Sequence, residues 1–282
     1  MAKIQRENNR SGRATGLSSL IFLAFVLLLP SSVGAQKADY VFQSGEKITY
    51  GAYYNWGILW VNAGEVTFEA DTLRRKGEAQ WQFLAEGRTY KAYDLFYTVR
   101  DTFMSYAGVQ GLQADYFNRK VNHGKSSTLH EYAFDAESKK IYSRIKREKE
   151  ALFRDTLSWK PATADMLTTV YQFRNYDFDA LKKGDKVNFR MLVDNKTEDL
   201  YFRYLGQEVV KTREGRKFRC HHVSIALLGG DFFPDGEHMN VWFTADRNHI
   251  PVKVETEILV GSVSAILTGL EQIKYPLTSE ID

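Results

Sequence analysis

The chain has 282 residues, with 38 Lys and Arg against 35 Asp and Glu, and one cysteine. Residues 1–35 hold four of the bases and one of the acids, so 36–282 is balanced at 34 of each sign. That balance excludes nucleic acid and a polybasic membrane patch, which need surplus cations on one face. The lone Cys220 excludes an intrachain disulfide framework.

Lys3, Arg6, Arg10 and Arg13 precede an apolar run, Leu17–Leu29, interrupted only by Ser18 and Ser19. Pro30-Ser31-Ser32 then leads to the small residues Val33-Gly34-Ala35. This is the layout of a secretory signal peptide cleaved after Ala35. Thirteen helical residues span about 20 Å, short of the ~30 Å hydrocarbon core, so a membrane anchor fits less well. No cysteine waits at the cleavage site for a lipid. The expectation is a periplasmic, soluble protein that is not a lipoprotein and has no transmembrane span after cleavage.

From residue 36 onward, period-two patterns dominate. Apolar and polar residues alternate through 46–50, 65–70, 80–86, 186–191, 199–204, 241–245 and 252–257, the signature of half-buried antiparallel strands. The basic stretch 139–149 reads as a solvated strand face. Turn residues between the strands, at 75–78, 122–125, 135–138, 194–196, 213–215 and 246–248, fit hairpins. Lys91–Val99 reads as a short helix or turn. Asp165–Arg174 reads as a helix capped by Thr163 or Asp165, with Met166, Val170 and Phe173 as its stripe. A short turn follows at 177–183, and Ile258–Leu270, apolar on both faces, reads as two adjacent central strand segments.

Gly45–Tyr50 and Gly184–Phe189 echo each other in residue type, a hint of two similar halves meeting near 160–184. No Pro-, Gly- or Ser-rich linker separates them, which favours one β-rich domain over 36–282. The fold expected is mainly β: an antiparallel, strongly twisted open barrel or two-sheet arrangement with one or two short helices.

Gly45-Glu46 with Tyr50, and the stretch from Trp56-Gly57 to Ala63-Gly64, resemble the opening of the bacterial domain of unknown function 3108 family. Asp165-Met166-Leu167 through Tyr171 and Arg174 is similar to that family's central helix. Val241–Asp246, then Ile250-Pro251-Val252 and Gly261, resemble its C-terminal signature. The resemblance covers roughly 42–275 and implies an exported, mostly β protein. It brings no activity and no catalytic residues.

Chemistry-bearing clusters are few. His221 and His222 with Asp231, Asp235, Glu237 and His238 supply metal-ligand types, but adjacent strand residues point to opposite faces and no ligand spacing supports a site. The structural hairpin is favoured there, and no cofactor is expected. There is no G-x-S-x-G, and Cys220 reads as a buried, inert thiol. Pairing Glu46 with Glu65 would suit glycosidase chemistry only across a sugar cleft. Aromatics are abundant, with 16 Tyr, 18 Phe and 5 Trp, and ordinary core packing accounts for most. Tyr53, Trp56, Trp60, Trp81 and Trp242 are the candidates for lining a ligand site.

The leading expectation is a non-catalytic envelope protein that binds a lipid, a glycan, another amphiphile or an envelope protein. One alternative is an envelope-polymer hydrolase using carboxylates or His221, His222 and His238. Another is an assembly protein pairing through a sheet edge.

Overall fold

The computed structural model describes residues 38–56, 59–94, 98–227, 236–257 and 262–282, with the side chains of 56, 59, 227 and 236–238 left aside. The first run of strands is β1 (Glu46–Trp56), β2 (Leu59–Arg75), β3 (Glu78–Thr89), β4 (Arg100–Gly108), β5 (Ala114–His123), β6 (Ser126–Asp135), β7 (Lys140–Arg147) and β8 (Phe153–Ser158). Then come β9 (Thr163–Ala164), the helix α1 (Met166–Arg174) and a 3-10 turn at Phe178–Ala180. The second run is β10 (Lys186–Val193), β11 (Lys196–Lys211), β12 (Lys217–Leu227), β13 (Gly236–Thr244), β14 (Pro251–Glu257), β15 (Ser262–Glu271) and β16 (Glu280–Ile281).

Alternation builds the strands. In β7, Ile141, Ser143 and Ile145 are buried while Tyr142, Arg144 and Lys146 are exposed, the period-two pattern of a sheet with one covered face. All strands join one sheet ordered β8 through β1, then β15 back to β9, with β16 on β12. Each half is a meander, and β1 pairs with both β2 and β15. Every ladder is antiparallel except the short β9–β10 pair. Gly45 (φ 87°) and Gly184 (φ 99°) turn the chain into β1 and β10 through the left-handed region that glycine tolerates.

The sheet curls without closing. The β10–β11 turn lies nine or ten strands from β5 along the sheet path, about 45 Å if flat. Yet Arg119 of β5 donates to Asp194 at 2.7 Å, Asn195 N–H donates to the Tyr132 hydroxyl at 3.0 Å, and Asn195 Nδ2 donates to Asp155 at 2.8 Å. Side chains latch the two ends together, and no ladder joins β8 to β9. This is the mainly β, open barrel-like arrangement that the alternation predicts.

The helix α1 fills the interior, clamped at both ends. Asp165 caps it, accepting from the Leu167 and Thr168 amides at 2.9 Å each and from the Ser105 hydroxyl of β4 at 2.6 Å. At the other end Arg174 forms a bidentate pair with Glu46 of β1, at 2.5 and 3.0 Å, both side chains buried. Tyr171 stacks on Phe83 at 3.9 Å. The expected stripe of Met166, Val170 and Phe173 is corrected: the buried residues are Leu167, Thr168, Thr169, Tyr171 and Arg174. The reason is enclosure on several sides. Met166 packs against the Tyr40–Phe42–Trp81 cluster, and Phe173 meets Phe189 and Phe202.

Lys91–Val99 resolves as a turn over 91–94 and a bridge from Val99 to His123, with 95–97 outside the described residues. Of Ile258–Leu270, the described part lies in the single strand β15. Ala38–Asp282 packs as one compact unit. Among the described residues, no helix is long and apolar enough to cross a membrane.

Candidate ligand groove

The register of the second meander sets up the groove. His222 of β12 lies opposite Trp242 of β13, Trp242 opposite Lys253 of β14, and Lys253 opposite Ile266 of β15. Residues directly opposite share a sheet face, so these four form one row. The other wall is the far end of β11. A register shift between Tyr204 and Gly206 breaks the β11–β12 ladder, and Gly206 takes φ 107° there, a conformation open to glycine. Beyond it, Glu208, Val209 and Arg213 face Trp60, Trp242 and Lys253 across a groove of about 440 Å³.

Two of the groove's cations lie against ring faces. The Arg213 guanidinium lies 4.2 Å from the Trp60 ring centroid and 5.7 Å from that of Tyr53. Lys253 sits 4.8 Å from the Trp242 ring centre and pairs with Glu255 at 2.8 Å. Trp242 Nε1 donates to Glu208, which also meets His222 Nδ1 at 3.1 Å. His222 stacks on Trp242 at 4.4 Å, and its Nε2 lies 2.9 Å from Asn240 Oδ1. Trp242 is thus fixed from three sides, while Trp60 stays 39% exposed.

Of the aromatic candidates, Trp60 and Trp242 line the groove, and Tyr53 lies beside it, near Arg213. Trp81 does not: it is 5% exposed and packs edge-on to Phe42 and stacked on Phe83 in the core. The side chain of Trp56 lies outside the described residues.

His221 and His222 diverge. The buried His221 contacts the Tyr204 hydroxyl at 3.0 Å through Nδ1, stacks on Phe178 and lies 5.9 Å from the His249 ring, whereas His222 lies behind Trp242 and Glu208. Burial lowers the pKa of both His221 and His249. Asp231 and the side chain of His238 lie outside the described residues, among which no group of three or more metal-ligating side chains gathers. Cys220 is fully buried, and burial pushes its thiol up to about 12. Glu46 and Glu65 form no carboxylate pair, since Glu46 is held by Arg174 and Glu65 meets Arg88 at 3.0 Å.

Sequence reasoning misses Glu208, Arg213 and Lys253. Arg213 reads there as an ordinary hairpin-turn residue, and only the folded chain shows that it lies over Trp60. The Gly215 φ of 92° confirms the turn and says nothing of its neighbour's target.

Fold and groove together define an open β-barrel-like protein with a helical plug and an aromatic, cation-bearing groove on its second meander. A family model described as a protein of unknown function (DUF3108) matches residues 48–268, and the chain belongs to that family. The crystal structure of a beta-barrel-like protein of domain of unknown function DUF1849 from Brucella abortus aligns with a TM-score of 0.49 at 9% identity, covering 83% of this chain and 98% of that one. No curated protein matches.

Proposed function

We propose that the protein is exported, loses residues 1–35, and binds an amphiphilic ligand in the Trp60–Trp242 groove as a periplasmic envelope component. The observation that carries the reading is the convergence of Trp60 and Trp242 with three cations on one concavity, with Tyr53 beside Arg213. Its volume falls within the ~300–1,000 Å³ of small-molecule sites. The lining mixes Trp60, Val209, Val210 and Ile266 with Lys211, Arg213 and Lys253, which suits a ligand that is itself two-sided. The basic start and apolar run before Ala35 support export.

Native mass spectrometry on protein purified from the periplasm tests this reading. The expected result is a chain beginning at Gln36 with a bound lipid or other amphiphile, lost in Trp60→Ala. A clean apo mass for both proteins overturns the binding role, and a chain retaining residues 1–35 overturns the export reading.

A further inference from the structure

The groove's charges are unequally committed. Lys253 is matched by Glu255 at 2.8 Å, and Glu208 is taken up by Trp242 Nε1 and His222. Among the described residues, no carboxylate pairs with Arg213 or Lys211, and both are exposed. An uncharged glycan would need free acceptors and amides, but the groove's one lining carboxylate, Glu208, is already engaged. An anion meets two uncommitted cations. The Arg213 guanidinium carbon lies 4.2 Å from the Trp60 ring centre, and its N–H donors suit the bidentate contacts that carboxylates and phosphates accept.

The apolar side is equally specific. Trp60 and Val209 are two of the few large hydrophobic side chains left exposed, at 39% and 55%, and both line this groove. Val210 and Ile266 extend the apolar lining. About 440 Å³ is at the small end for such sites, which favours a ligand with one chain.

Accepting the groove as the binding site, we propose that its ligand is a single-chain amphiphile with an anionic phosphate or carboxylate head. Arg213 and Lys211 hold the head, and the chain lies over Trp60 and Val209. A neutral-headed amphiphile uses the same floor without the cations. Inorganic phosphate finds the cations without the floor.

The test is tryptophan-fluorescence titration of the mature protein with monomeric dodecyl phosphate, dodecyl maltoside and inorganic phosphate. Dodecyl phosphate is expected to bind at least about tenfold more tightly than dodecyl maltoside, about 1.4 kcal/mol. In the Arg213→Gln/Lys211→Gln double variant that ratio should fall to near one, with the thermal midpoint unchanged because both side chains are exposed. Inorganic phosphate should not displace dodecyl phosphate at equal concentration. Equal affinity for the two amphiphiles, a preference that survives the double variant, or displacement by phosphate alone overturns the anionic-amphiphile assignment while leaving the groove as a site. Binding of neither amphiphile overturns the groove reading itself, and this inference with it.

Discussion

Two arginines on aromatic rings do opposite things in this molecule. Arg174, 1% exposed, lies 5.6 Å from the ring centres of Phe42 and Tyr171, and its charge is consumed by Glu46. Arg213 lies over Trp60 at 4.2 Å, exposed, with no carboxylate partner among the described residues. A guanidinium buried beside rings requires a counter-ion because desolvation of an unpaired charge costs several kcal/mol. One at the surface needs none, and so remains available to a ligand. The same pair of residue types is structural in one place and receptive in the other, and solvent access decides which.

The most severe way to break this contrast is Arg174→Met. It strands Glu46 in the core and should cost about 3–5 kcal/mol in urea unfolding, with much of that recovered in Glu46→Leu/Arg174→Met. A loss under about 1 kcal/mol for the single variant would show the pair to be far more hydrated than its burial indicates.

Next in size is an acid effect at the latch between the sheet ends. His130 is buried against the Tyr132 hydroxyl at 3.1 Å, and burial, helped by Arg119, pushes its pKa down to about 4. The unfolded chain takes up this proton near pH 6.5 and the folded one only near 4. Stability tied to His130 is therefore complete above about pH 6.5 and is lost as pH falls toward 4, by about 2–3 kcal/mol. Urea midpoints at pH 7, 5.5 and 4 should fall along that window and flatten in His130→Gln. An unchanged slope in the variant would assign the acid sensitivity elsewhere.

Asp194→Ala, which removes the exposed partner of Arg119, should cost no more than about 1 kcal/mol by thermal unfolding. Trp60→Ala sits at the far end: a stability change within about 0.5 kcal/mol, with loss of bound amphiphile. If Trp60→Ala instead destabilised the protein by several kcal/mol, the exposed arginine–indole pair would be a structural element after all.

The strands were readable because a covered face imposes period two, and β7 and residues 199–204 of β11 carry it. The helix cap was legible as Thr163 or Asp165, and the structure gives it to Asp165, whose carboxylate accepts from the Leu167 and Thr168 amides. The helix stripe was not. Periodicity assumes one wet face, and an enclosed helix has none to mark. For the groove, Tyr53, Trp60 and Trp242 were recognisable as unusual aromatics, but so was Trp81, which packs in the core. What separated them was strand register and the bend at Gly206, neither of which a residue pattern encodes. His221 owes its environment to His249 and Phe178, brought close by the helix–turn region and the β13–β14 connection, again a matter of topology.

The path of the sheet has a consequence for how the chain acquires its shape. Within each meander neighbours in sequence are neighbours in the sheet, whereas at its centre Lys47 pairs with Glu271, more than two hundred residues away. Each meander can zip from its own hairpins, whereas the seam between β1 and β15 waits for nearly the whole chain to be present and must close a very long loop. Until then β1 offers an open edge beside β2, and the exposed ladder groups of that strand are the point at which an incompletely assembled molecule would most readily pair with another. The strand that lies deepest in the finished sheet is thus the last to be covered on both sides.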